Sequence, residues 1–176
     1  MTDAPPTVTV VVGNPRTASR TRTVGEAVAR RVVAATGLAA VETFTVIEVA
    51  DLGPSLFDWS SAEVKGLVGS LSASRLAVIA SPVYKATYTG LLKSFLDWFG
   101  QTGLAGVTAV PVMVGAAPNH ALAVEVHLRP LLVEIGATVP TRGLYVLEDQ
   151  IETLDAVIDP WLAQSLPYLR ASLGTA

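Results

Sequence analysis

The stretch Val8-Thr9-Val10-Val11-Val12-Gly13-Asn14-Pro15-Arg16-Thr17-Ala18-Ser19-Arg20-Thr21 decides the fold. Its first five residues are all β-branched, as expected of a strand buried on both faces of a parallel sheet, and Gly13 stops the run. After the polar loop Asn14 to Arg20, the segment from Thr21 to about Thr36 places Val24, Val28, Val32 and Ala35 at helical spacing. It then meets Gly37, a residue suited to a helix C-cap. Strand, loop and helix in this order open a βαβ unit.

Working outward, the same alternation continues along the chain. Strands are expected at Thr43–Val49, Arg75–Ser81, Val107–Gly115 and, more weakly, Thr138–Val146; helices at Ser61–Leu71, Gly90–Phe99 and Asn119–Ile135. The final segment, Ile151–Leu173, has helical spacing but contains Pro160 and Pro167, so a bent or two-piece helix is expected. Five strands separated by helices imply an α/β, flavodoxin-like three-layer sandwich: a five-stranded parallel sheet, order 2-1-3-4-5, with helices on both faces. Residues 1–176 show no internal repeat or linker and are expected to form a single domain. In such a fold a ligand binds outside the carboxyl ends of the strands, near the point where the strand order reverses.

Composition narrows the function. Hydrophobic residues make up 51% of the chain and charged residues 15%, which argues for a full core and some apolar surface used between subunits, hence a homodimer or homotetramer. Net charge is −3 with no basic cluster, so nucleic acid is not expected as a partner. Cysteine is absent and there are two histidines, which removes disulfides, thiol nucleophiles and ordinary transition-metal cages. Met1 to Pro6 lack a basic leader, and no apolar run approaches the roughly 18 residues of a membrane span. A cytoplasmic protein is the expectation.

Function then falls to three loops. The loop Gly13 to Thr21 joins a strand to a helix N-terminus, where free N–H groups and the positive helix end attract an anion and Thr17, Ser19 and Thr21 add hydroxyls. It lacks the Gly-x-Gly-x-x-Gly and Gly-Lys-Thr patterns, so a single phosphomonoester fits better than a dinucleotide or a nucleoside triphosphate. The same residues also suit a plain helix cap with Arg16 and Arg20 solvated. A third loop, Gly115-Ala116-Ala117-Pro118-Asn119-His120, is small enough for close approach of a cofactor, with Asn119 a natural N-cap and His120 either at the cofactor or exposed.

The second loop and its helix are more specific. Pro82-Val83-Tyr84-Lys85-Ala86-Thr87-Tyr88-Thr89-Gly90-Leu91-Leu92-Lys93-Ser94-Phe95-Leu96-Asp97 resembles the signature of the NADPH-dependent FMN reductases, in particular those that feed two-component alkanesulfonate and methanesulfonate monooxygenases. The first loop is similar to that family's Gly-Ser-Pro-x-x-x-Ser-Arg-Thr phosphate loop, with Asn14 in place of Ser, and Asp51-Leu52 with Phe57-Asp58 resembles its connection after strand two. The resemblance places Arg16, Ser19, Arg20 and Thr21 at an FMN phosphate and Pro82, Val83, Tyr84 and Lys85 at the isoalloxazine ring. Tyr84 would offer an aromatic surface and Lys85 positive charge beside the ring; Gly115 would allow close backbone approach.

The activity implied is hydride transfer from NADPH or NADH to FMN, with reduced flavin passed to a flavin-dependent monooxygenase. No acid, base or nucleophile is needed, so no catalytic side chain is expected beyond an electrostatic role for Lys85. The alternatives on this fold are an FMN-retaining quinone or azo reductase and a nonenzymatic flavodoxin-like electron carrier. In the sulfonate-linked reductases an aromatic residue in the fourth helix accompanies a π-bulge at a tetramer interface. Here Val126 and His127 stand instead, so the resemblance does not by itself carry the bulge over, although Pro130 favours a local irregularity.

Overall fold

The computed structural model describes residues 8–38 and 44–175. Five strands, β1 (Val8–Val12), β2 (Thr45–Glu48), β3 (Leu76–Pro82), β4 (Thr108–Gly115) and β5 (Leu144–Leu147), form one sheet in the order β2-β1-β3-β4-β5. Every pairing is parallel. The five helices are α1 (Arg20–Thr36), α2 (Ala62–Ser72), α3 (Gly90–Leu96), α4 (Arg129–Glu134) and α5 (Leu154–Leu173).

The central strands are buried at every position because helices cover both faces, which explains their unbroken apolar runs. On one face Val8, Val10, Val12, Val78, Val110 and Val112 pack with Val24, Val28 and Val32 of α1 and Ile158, Leu162 and Leu169 of α5. On the other, Val11, Ile79 and Met113 pack with Val64 and Leu71 of α2, Phe95 and Leu96 of α3 and Leu132 of α4. The period of two along each strand thus divides the core into two layers.

Several boundaries differ from expectation. Thr43, the expected start of the second strand, lies outside the described residues. The chain after β2 forms 3-10 turns over Val49–Phe57, broken at Gly53 (φ 46°) before Pro54. Helix α3 stops at Leu96 rather than Phe99. The helix expected over Asn119–Ile135 is three pieces: a 3-10 turn Pro118–His120, a π turn Val124–Leu128, and α4. The π turn closes with Arg129 N–H on the Val124 carbonyl, immediately before Pro130, whose missing N–H disturbs the α ladder at this point.

The strand expected over Thr138–Val146 is cut to β5. Only Thr138 bridges to Thr108, after which Pro140 removes a ladder donor. Finally, α5 is continuous rather than two-piece. Pro160 and Pro167, seven residues apart, share its exposed side, where the carbonyls they leave free are open to solvent. Among the described residues no helix is long and apolar enough to cross a membrane.

Candidate functional site

A cleft of about 390 Å³ opens at the carboxyl ends of β1, β3 and β4. Asn14, Arg16, Thr17, Ala18, Ser19, Arg20 and Thr21 line one wall; Pro82 and Tyr84, Val114, and Glu148 complete it. Its size lies within the range of about 300–1,000 Å³ usual for small-molecule sites.

The first wall is shaped by polar side chains that bond backward into the protein. Asn14 Oδ1 accepts from the Arg16 N–H at 2.9 Å, closing an Asx turn, while its Nδ2 donates to Thr21 Oγ1 at 3.0 Å. Ala18 adopts φ 49°, a left-handed conformation costly for a residue with a Cβ, and its N–H donates to Glu48 Oε1 at 2.9 Å. Glu48 ends β2 and is buried. The same oxygen accepts from Arg22 Nη1 at 3.0 Å, and Oε2 has no partner among the described residues. Arg22 also donates to Glu26, and these two carboxylate bonds, Glu26 first, push its guanidinium above its ordinary range. Burial alone would raise the Glu26 carboxyl, but donation from Arg22 and Arg30 holds it below the usual carboxylate range.

Ser19 caps α1, its Oγ accepting from the Arg22 N–H at 3.3 Å. The N–H groups of Thr17, Arg20 and Thr21 have no partner among the described residues, while that of Ser19 closes the turn over Thr17 and Ala18. Three donors therefore lie at the positive end of a 17-residue helix, in the cleft wall, and Arg16 and Arg20 flank them. That donor set suits a phosphomonoester. The helix-cap alternative raised by the sequence describes Ser19 as well; capping leaves the remaining donors free for an anion.

The second wall is a tight turn. Tyr84 and Thr87 exchange backbone bonds at 2.8 and 3.2 Å around Lys85 (φ 51°) and Ala86 (φ 66°), which is type I′ geometry carried by two residues that are not glycine. The Val83 N–H is spent on the Val114 carbonyl and the Tyr84 N–H on the turn, whereas those of Lys85 and Ala86 have no partner among the described residues. Tyr84 is half exposed and lines the cleft; Pro82 is buried beneath it. Val83 and Lys85 do not line the cleft as it stands, and Lys85 is exposed at the turn's tip.

The two walls are tied together. Thr89 Oγ1 donates to the Gly13 carbonyl at 2.5 Å and accepts from the Leu92 N–H at 3.0 Å, capping α3 and fixing it to the end of β1. A Cβ on Gly13 would stand 2.5 Å from the Leu92 Cβ, so glycine is required there by packing. Gly115 is similarly confined: a Cβ would lie 2.0 Å from the Tyr145 hydroxyl, which donates to the Ala117 carbonyl at 2.6 Å. The absence of a side chain at Gly115 thus makes room for Tyr145, whose phenol is pushed up in pKa by burial. In the third loop Ala117, not Asn119, takes the cap position, and Asn119 lies inside the 3-10 turn with His120 beside it. Neither lines the cleft.

Sequence reasoning thus placed Arg16, Ser19, Arg20, Thr21, Pro82 and Tyr84 around one opening, and missed Glu48, Thr89 and Glu148. Glu148 follows β5, and its Oε2 pairs with Arg20 Nη2 at 3.0 Å across the cleft.

A family model described as NADPH-dependent FMN reductase matches residues 6–152. The NADH-dependent FMN reductase SfnF of Pseudomonas putida is 33% identical over 140 residues, 78% of this chain and 75% of the relative. The FMN reductase (NADPH) of Escherichia coli (strain K12) is 32% identical over 126 residues, covering 72% of this chain and 62% of its own length. Among solved structures, the apo form of an NADH:FMN oxidoreductase superposes with TM-score 0.79 at 30% identity, covering 97% of this chain and 90% of that one.

Proposed function

The chain belongs to the family of NADPH-dependent FMN reductases, and from that premise we propose that it supplies reduced FMN to a flavin-dependent monooxygenase. It is an oxidoreductase, an NAD(P)H-dependent FMN reductase on a flavodoxin-like fold. The observation that carries the reading is the set of N–H groups of Thr17, Arg20 and Thr21, before and at the start of α1, which have no partner among the described residues and are flanked by two arginines in the cleft wall.

Bound there, FMN supplies the hydride acceptor for NADPH or NADH. That chemistry asks the protein for orientation and electrostatics rather than for an acid, a base or a nucleophile. In this assignment the amides of Thr17, Arg20 and Thr21 would hold the phosphate, Ser19 would cap the helix beneath it, and Arg16 and Arg20 would neutralise its charge. Pro82 and Tyr84 would form the platform beside the ring, with Val83, bonded to the Val114 carbonyl, and Gly115 supporting it from outside the cleft lining. The amides of Lys85 and Ala86, without partners among the described residues, would be available to the ring's edge, and the Lys85 ammonium would favour negative charge there. Leu122, Val126 and Val133, large apolar side chains exposed on and around the π turn, support a homodimer or homotetramer of this cytoplasmic enzyme.

The test is aerobic oxidation of NADPH and of NADH at 340 nm by purified protein, with and without added FMN, followed by coupling to a two-component monooxygenase. Turnover that depends on added FMN and drives the monooxygenase is the expected result. A stable yellow protein that turns over quinones or azo dyes would replace the proposal with a flavin-retaining reductase, and absence of oxidation would point to an electron carrier.

A further inference from the structure

The phosphate-binding cleft carries one carboxylate on its wall. Of the residues lining it only Glu148 is acidic, and it shares the cleft with Arg16, Arg20 and the N-terminus of α1. Its position is built into the fold: Leu147, the last residue of β5, stands in register with Gly115 of β4, and its N–H donates to Gln150 Oε1 at 2.9 Å, holding the turn that presents residue 148. Glu148 Oε2 meets Arg20 Nη2 at 3.0 Å. Arg20 is the first residue of α1, and among the described residues it forms no other ion pair.

A carboxylate here works against anion binding by occupying the guanidinium that the phosphate would use; between exposed charges, direct repulsion of the phosphate is screened and minor. A protein selected only to hold its flavin tightly has no use for this arrangement; one that must let the flavin leave does.

We propose that Glu148 competes with the flavin phosphate for Arg20 and so keeps FMN exchangeable, an inference that rests on the FMN reductase reading. Arrival of the phosphate replaces one ion pair of Arg20 by another, and departure restores the first, so the guanidinium is never left unpaired. Glu148 is thus a positioning residue that acts through Arg20, and its effect is confined to flavins that carry a phosphate.

The experiment is equilibrium titration by flavin fluorescence with FMN and with riboflavin, using wild type, Glu148→Gln, Arg20→Met and the double variant, together with stopped-flow dissociation. Glu148→Gln should bind FMN roughly fivefold tighter, the upper end for an exposed ion pair, with a correspondingly slower release. Riboflavin affinity should be unchanged, which also shows that the variant is folded, and the gain for FMN should shrink in 1 M salt. In the Arg20→Met background Glu148→Gln should change little. Unchanged or weaker FMN binding overturns the inference, as does equal tightening of riboflavin or a gain that persists without Arg20. If wild type binds neither flavin, the reductase reading falls and the inference falls with it; every other failure leaves that reading standing.

Discussion

The two walls of the cleft store backbone strain in opposite ways. In the phosphate loop the strained residue, Ala18, is bonded through its N–H to Glu48, a buried carboxylate that Arg22 also holds. In the ring loop the strained pair, Lys85 and Ala86, is exposed and closed only by the reciprocal bonds of Tyr84 and Thr87. The first conformation is enforced by tertiary structure, and the second by one local turn. Under the proposed assignment, binding energy would be collected at a preorganised phosphate side, while the ring side, held by a local turn, would be the one to adjust to a nicotinamide as well as a flavin.

The sharpest way to break this contrast is Glu48→Ala. Removing the carboxylate leaves the Ala18 N–H and one side of Arg22 without an acceptor, and the loop loses its reason to keep Ala18 left-handed. Stability should fall by about 2–3 kcal/mol, below the full cost of breaking a buried pair because Arg22 is partly exposed. FMN affinity should fall at least tenfold by roughly the same reasoning, with riboflavin affected less. Urea unfolding and flavin titration read the two effects. Wild-type values in both would show that the loop holds its shape without Glu48.

A smaller effect is expected where the walls join. Thr89→Val keeps the shape but loses both the bond to the Gly13 carbonyl and the α3 cap, at a cost of about 1–2 kcal/mol. Because Thr89 links the end of β1 to the ring loop, FMN and riboflavin should both bind less well, unlike the pattern for Glu48→Ala. A loss confined to FMN would show that the tie serves only the phosphate side.

How much of this was legible in the sequence depends on how local each feature is. The run Val8–Val12 and the turn at Gly13 announce β1 and its loop because burial on both faces leaves a continuous apolar stretch. The motif from Pro82 to Asp97 marked the ring loop for the same reason, as one contiguous segment. Glu48 was hidden because it acts on residues 18 and 22 across the β1–β2 pairing, and its only trace was an acidic residue inside a strand that is otherwise apolar at its end. Glu148 reaches Arg20 from the far edge of the sheet, which no spacing rule encodes. Pro160 and Pro167 left a two-piece helix open because the sequence shows a proline without showing that the carbonyl it orphans lies on the helix's exposed side. At Val124–Leu128 the π turn forms without the aromatic residue associated with it, beside Pro130.

The finest discrimination lies in the ring loop, at Lys85, where two substitutions separate charge from conformation. Lys85→Ala removes the ammonium and keeps a Cβ at φ 51°, so stability should be close to wild type. Lys85→Gly removes the ammonium and the strain together. Relief of the left-handed penalty, partly offset by the greater entropy of glycine in the unfolded chain, should make it about 0.5–1 kcal/mol more stable than the alanine variant. If the ammonium assists by favouring negative charge beside the ring, both variants should slow NAD(P)H-dependent reduction of FMN by the same few-fold factor, since both lack the charge. If the turn's geometry is what matters, the glycine variant should differ from the alanine one in the rate of reduction as well as in stability. Equal, wild-type rates in both would remove Lys85 from the chemistry and leave the free amides of the turn as the ring loop's contribution.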